Sequence, residues 1–234
     1  ALRESEHEDA SAKGDAATRT NGFDARLLRD ELVTLFTAGH ETTALTLAFS
    51  LHLLAEHPDA QTRLRAEIKE CTQDRGELNA GSMSALPFCT AVIRESMRLY
   101  PPAWAIGREA IQATRIGELE VRKGDQILIA PWTMHRSESY FARPERFWPE
   151  RWLDGLHEQL ERYIYMPFGG GQRICVGNHF AMMEAVLILA TLVRRLEFAP
   201  DPASADRPLQ FFPAITLRPA GELNLLVRPV RARL

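Results

Sequence analysis

The chain has 234 residues, with 28 Lys and Arg against 31 Asp and Glu for a formal net charge of -3, and 45% of its residues are hydrophobic. That is the balance of a folded domain or a large piece of one, and the slight acidity argues against a nucleic-acid binder, which carries a basic excess. Three widely spaced cysteines, Cys71, Cys89 and Cys175, exclude a disulfide framework and fit a reducing compartment. No run reaches roughly 18 uninterrupted apolar residues, and the polar N-terminus "ALRESEHEDASAKGDAATRT" has no signal-peptide core, so a cytoplasmic location is expected.

Residues 1–22 are small, polar and charged, and read as a flexible linker. A long helical pattern follows from Asp24 to Ala55, with Leu28, Leu32, Leu35, Phe36, Leu45, Phe49 and Leu53 among its apolar positions. His57-Pro58 closes it, because the residue before proline is pushed out of helical geometry. A second, amphipathic helix is predicted over Asp59–Thr72, with Asp59 as N-cap. After a turn-rich stretch, a third runs from Ala85 to Leu99 and stops at Tyr100-Pro101-Pro102. Short strand signals appear in "AIGREAI", "TRIGELEV" and "QILIA", and Pro131–Met166 reads as irregular. A last helix is predicted over Asn178–Arg195, and strands around Gln210–Phe212, Ile215–Leu217 and Leu223–Val227. The fold class expected is mainly α with small peripheral β-sheets.

The stretch richest in chemistry is "FGGGQRICVG", Phe168–Gly177. Three glycines in a row each cost about 0.5–1 kcal/mol in ordering entropy relative to alanine, which makes sense where backbone must pass close to something. Cys175 stands just before a helix, where backbone N–H groups and the helix dipole favour a negative charge. A buried, inert cysteine would need neither the glycines nor a nearby arginine. Zinc would want clustered ligands such as C-x-x-C, which are missing. A lone thiolate suits haem iron, where the porphyrin supplies the other ligands, and Arg173 would then pair with a haem propionate.

Upstream, "AGHETT" (Ala38–Thr43) interrupts the long apolar helix. Gly39 inside a helix costs about 1 kcal/mol against alanine, and Thr42-Thr43 competes for backbone carbonyls. With apolar flanks, the segment is expected to be largely buried and to open a pocket at Gly39, where an acid and a hydroxyl could deliver protons. The third helix carries "ESMR", placing Glu95 and Arg98 at i, i+3 on one face. With an arginine from "RPERFWPERW", they could form a buried Glu-Arg-Arg network.

In this order, "AGHETT", "ESMR", "PERW" and "FGGGQRICVG" with the following Asn178-His179-Phe180-Ala181 resemble the C-terminal half of a cytochrome P450. The resemblance implies a P450-like fold over residues 23–234, from the long oxygen-binding helix to the C-terminus. It implies haem b (iron protoporphyrin IX), with Cys175 as the axial thiolate and iron ligand. Phe168 would pack near the sulfur, and Arg173 and Arg108 would meet the propionates. Gly169 and Ala38 would lie against the cofactor. Thr42 and Glu41 would hold oxygen and relay protons. Glu95, Arg98 and Arg151, preferred over Arg146, would form the structural network behind the haem.

The implied activity is insertion of one atom of O2 into a hydrophobic organic substrate. Substrate walls would come from Ala38, Ala103–Ile106 and Phe211–Ile215. Electrons from NAD(P)H would arrive through a ferredoxin- or flavodoxin-type reductase partner, since no nucleotide-binding fingerprint is visible. The family's N-terminal half, with much of the pocket, has no counterpart in the chain and would have to be supplied as a partner. Three other uses of the same residues stay open: a non-catalytic haem binder or remnant, a peroxide-using haem-thiolate enzyme, and a cysteine-nucleophile enzyme without haem.

Overall fold

The computed structural model describes residues 24–203 and 208–230. The linker expected over residues 1–22 lies outside the described residues. Helix α1 (Ala25–Glu56) begins where the Asp24 carboxylate accepts the Arg26 N–H at 2.9 Å, an N-cap, and ends one residue before His57-Pro58. It is helical without interruption through Gly39, so the opening predicted there does not form. Glycine tolerates the helical geometry it merely disfavours, and a Cβ at Gly39 would meet nothing within 4 Å. The boundary between two compact units falls inside α1, between Gly39 and His40. Of the first unit, residues 24–39 are described, and all are exposed, contrary to the burial their apolar pattern predicts. In the second unit burial begins at Glu41 and Thr42, half-buried, and Thr43, buried.

The rest of the second unit starts with helix α2 (Pro58–Arg75). Its N-cap is His57, without a side-chain cap, and not Asp59; Pro58 occupies the first turn, where its fixed φ and missing N–H are no handicap. The turn-rich stretch contains a 3₁₀ turn, Ala80–Ala85, closed by a capping box between Asn79 and Ser82. Helix α3 (Pro87–Leu99) again starts on a proline. Strands β1 (Ile106–Glu109), β2 (Thr114–Ile116), β3 (Leu119–Val121) and β4 (Gln126–Ile129) pair antiparallel as a β2–β3 hairpin nested in a β1–β4 ribbon. The segment read as irregular holds two single turns of helix, α4 (Pro131–Met134) and α5 (Leu156–Gln159), and a 3₁₀ turn at Pro149–Trp152. Helix α6 (Asn178–Arg195) runs directly into β5 (Leu196–Pro200), a strand the sequence reading missed. β5 pairs with β8 (Leu225–Pro229), and β6 (Phe211–Pro213) with β7 (Leu217–Pro219).

Helix α3 organises the core because it is buried on two faces. Phe88, Cys89, Val92, Ile93 and Met97 face a cluster built with Leu53 and Leu54 of α1, Leu64 and Ile68 of α2, and Ala185, Val186, Leu189 and Val193 of α6. Ala91, Glu95 and Arg98, at i, i+4 and i+7, form the other stripe, which meets Phe141, Trp152 and Ile164. A buried glutamine pins the sheet to this core: Gln61 donates to the Leu54 and Phe198 carbonyls and accepts the Phe198 N–H at 2.9 Å. Among the described residues no helix is long and apolar enough to cross a membrane.

Candidate active site

The cysteine loop connects the irregular segment to α6. Cys175 is exposed and its thiol is free; its backbone N–H donates to the Phe168 carbonyl at 2.9 Å, closing the loop on itself. Three glycines make that closure possible for different reasons. Gly169 and Gly171 have φ of 73° and 72°, the left-handed region that L side chains rarely adopt. At Gly170 a Cβ would lie 2.5 Å from the Tyr163 ring, so only a glycine lets the ring pack there. Phe168, half-buried, anchors the loop to the apolar core. Ile174, Val176 and Phe180 are 50%, 87% and 63% exposed, an uncovered apolar rim around the sulfur.

Arg173 is exposed in the 3₁₀ turn Gly171–Arg173. Arg108 reaches the same neighbourhood through β1. A Cβ on Gly169 would sit 3.6 Å from Ile106, and Arg108, two residues on, shares that face of the strand. The Arg108 guanidinium donates only to the adjacent Gly107 carbonyl, and among the described residues neither arginine is paired with a carboxylate. Among the described residues no three His, Cys, Asp or Glu side chains cluster as a metal site. An accessible sulfur, two unpaired guanidiniums and an apolar rim form a donor set that fits an iron porphyrin with two carboxylates.

Behind the loop lies the charged network. Glu95 and Arg98 are fully buried and Arg151 nearly so. The Glu95 carboxylate accepts five hydrogen bonds: Arg98 Nε and Nη2 (both 2.9 Å), Arg151 Nε (3.1 Å), Trp152 Nε1 (2.8 Å) and the Trp148 N–H (2.9 Å). Arg98 spends its other donors on the carbonyls of His135, Pro144 and Arg146, so every N–H of the guanidinium has an acceptor. Arg151 donates also to the Ala142 and Arg143 carbonyls. Arg146 contributes its carbonyl and keeps its side chain exposed. His135 completes the link to the cysteine loop: its Nε2 accepts the Met166 N–H at 3.0 Å, two residues before Phe168. Burial, reinforced by the Arg98 charge, pushes this imidazole down to about 3, so it is neutral. Trp148, Trp152 and His135 were not singled out from the sequence, although two flank Arg151 in "WPERW" and the third precedes Arg136.

On α1, Thr42 accepts the Thr46 hydroxyl through its carbonyl at 2.9 Å, the back-bonding that hydroxyl residues bring to helices. Glu41 does not project into an open pocket. Its Oε1 lies 2.5 Å from Arg218 Nε and accepts the Thr216 hydroxyl at 3.2 Å. The hydrogen bond from Arg218 holds this carboxyl below the usual carboxylate range. Neither partner was anticipated, since they lie 175 or more residues away. Ala38 is an exposed position of the first unit.

Comparisons with known proteins show the family to which the chain is similar. The cytochrome P450 family model matches residues 7–226. Cyclooctat-9-en-7-ol 5-monooxygenase of Streptomyces melanosporofaciens is 39% identical over 183 residues, which cover 78% of this chain and 40% of that protein. A cytokinin hydroxylase of Arabidopsis thaliana is 35% identical over 211 residues, 88% of this chain and 39% of its own length. A crystal structure of a cytochrome P450, CYP102L1, superposes with a TM-score of 0.79 at 32% identity, covering 89% of this chain and 46% of that one. The chain therefore belongs to the cytochrome P450 family, and it matches the C-terminal part of its members. It spans about two fifths of the length of the curated relatives it matches.

Proposed function

We propose that the chain provides the haem-binding and proton-delivering part of a monooxygenase that inserts one atom of O2 into a hydrophobic organic substrate. The observation that carries this reading is the accessible Cys175 sulfur on a glycine loop, with Arg173 on the same loop and Arg108 on the adjoining strand, neither paired with a carboxylate among the described residues. Cys175 would bind the iron of haem b, Arg173 and Arg108 the propionates, and Phe168 and Gly169 the near face of the ring. Bound there, the iron supplies activation of O2, promoted by electron donation from the thiolate.

The chain's own residues then have three tasks. The Glu95–Arg98–Arg151 network and His135 hold the Phe168–Gly177 loop from behind, so the sulfur keeps one position. Thr42 places a hydroxyl, and Glu41 a carboxylate, beside the oxygen-binding face, where they orient water and pass protons inward. The apolar side chains of Ala103–Ile106 and Phe211–Ile215 exclude water and fit a hydrophobic substrate. Electrons from NAD(P)H would come through a separate ferredoxin- or flavodoxin-type protein, and the remaining pocket wall from the part of the family fold that this chain does not span.

The test is the absorption spectrum of the complete polypeptide carrying this chain, loaded with haem and reduced under carbon monoxide. A strongly red-shifted Soret band is expected for the wild type and its loss for Cys175→Ser. Because Cys175 is exposed, the substitution should change folding stability by less than about 0.5 kcal/mol. An unchanged spectrum in the serine variant would overturn the ligand assignment.

A further inference from the structure

Strands β6 and β7 have three residues each and, among the described residues, pair with no other strand, and an isolated ribbon of that size does not hold itself in water. Its position is therefore set from outside. At its base, Phe211 packs in an aromatic group, 5.3 Å from Tyr100 and 5.1 Å from Trp132 between ring centroids. Midway, the Trp104 indole N–H donates to the Ala214 carbonyl and the Leu217 N–H to the Pro102 carbonyl, both at 2.9 Å. Those contacts fix one side. On the other side the ribbon meets α1, and there the charged contact is Glu41.

The geometry there is a closed triangle. Arg218 Nε lies 2.5 Å from Glu41 Oε1 and 3.3 Å from Thr216 Oγ1, while the Thr216 hydroxyl donates to the same Glu41 oxygen. Thr216 is 8% exposed and Leu217 3%, so the ribbon is seated at this point; the residue just before them, Ile215, is 97% exposed. The clamp thus holds down the strand immediately beside the most exposed apolar side chain of the substrate-facing segment. It also fixes which way the Glu41 carboxylate points, one residue from Thr42. A half-exposed ion pair contributes little to global stability, and what it can set is position.

We propose that Arg218, with Thr216, is a positioning residue that clamps the β6–β7 ribbon to Glu41 of α1, tying the orientation of the proton-delivering carboxylate to the placement of Ile215 against substrate. This rests on the monooxygenase reading for its functional half and on the hydrogen bonds alone for its structural half. A substrate that displaces the ribbon displaces the carboxylate with it, so proton delivery responds to pocket occupancy.

The experiment compares wild type, Arg218→Met, Arg218→Lys and Thr216→Val in the complete polypeptide with two measurements. Amide hydrogen exchange of residues 211–219 needs neither haem nor turnover. It should rise severalfold in Arg218→Met, less in Thr216→Val, and return toward wild type in Arg218→Lys, which restores the positive charge. In the haem-loaded protein the fraction of electrons ending as peroxide should rise severalfold in Arg218→Met and be recovered by Arg218→Lys. Ribbon exchange that is the same in Arg218→Met and wild type overturns the clamp. Faster exchange with an unchanged peroxide fraction overturns the positioning role. A wild type without the thiolate–haem spectrum removes the functional reading, and the exchange comparison then still decides the clamp.

Discussion

Two clusters in this molecule use the same chemistry, a glutamate held by arginine, in opposite surroundings. Glu95 with Arg98 and Arg151 is sealed from water, with side-chain exposures of 0%, 0% and 5%. Glu41 with Arg218 is open, at 31% and 52%. In the buried cluster desolvation of three ions must be offset by geometry, and the structure meets that demand with five bonds to one carboxylate and an acceptor for every Arg98 donor. In the open cluster water and salt compete for the same groups, so the pair has little to give to stability. The first can be rigid scaffolding for the cysteine loop; the second can move, which suits a contact between a helix and a two-stranded ribbon.

The comparison breaks most visibly at the buried end. Glu95→Ala leaves two guanidiniums inside the protein without their counter-ion, and should cost about 3–5 kcal/mol in urea unfolding, enough to deplete the folded state. Arg151→Met removes one charge and leaves the Glu95–Arg98 pair intact, so a clearly smaller loss is expected in the same titration. Equal losses would mean that the Glu95–Arg98 pair does not hold without Arg151, and no loss in Arg151→Met would mean that Arg151 is peripheral to the network.

Next in size is acid sensitivity from His135, which sits against Arg98 and Tyr165 with Arg136 adjacent in sequence. Its folded value is about 3 against 6.5 for an ordinary histidine. Between those two values the unfolded chain binds a proton that the folded protein refuses, so stability falls as pH is lowered from about 6.5 towards 3, by up to about 1.4 kcal/mol per pH unit. Above about 6.5 this group contributes no slope. Glu41, held below the usual carboxylate range, also loses stabilisation on acidification, at lower pH. His135→Asn keeps an acceptor for the Met166 N–H and removes the titration. The wild-type-minus-variant difference in unfolding free energy should therefore fall as pH drops through that window. A flat difference would show that the imidazole is not kept neutral.

What the sequence discloses and what it hides divide along the same line. Glu95 and Arg98 are legible because they stand at i, i+3 on one helix, and the cysteine loop because its glycines, arginine and sulfur lie within ten residues. Helix α6 is legible because its apolar period is uninterrupted from Asn178 to Arg195. Strand β5 is hidden because it follows that helix with no glycine or proline between, and only pairing with β8, some thirty residues on, makes Leu196–Pro200 a strand. The Trp148 N–H and the carbonyls of His135, Pro144 and Arg146 are hidden for a related reason: backbone partners carry no residue signature. The N-cap misreading at Asp59 is local, an acidic residue placed one position inside a helix that Pro58 starts. Glu41 shows the limit most clearly. Its motif is readable, but its partners lie 175 and 177 positions away, and no local pattern marks an arginine on a short strand as belonging to it.

The smallest expected effect separates the two clusters without any substitution. Raising ionic strength from about 0.1 M to about 1 M shortens the screening length from about 10 Å to about 3 Å, which reaches exposed charges and leaves buried ones nearly untouched. Arg218 and Glu41 are in direct contact, so screening weakens the pair only partly, and amide exchange over residues 211–219 should rise modestly. Over residues 91–99, where α3 carries Glu95 and Arg98, the same change should leave exchange as it was, because no ion enters a site with 0% exposure. A salt response of equal size in both segments would mean that the buried network opens as readily as the clamp, and that the cysteine loop rests on a mobile support.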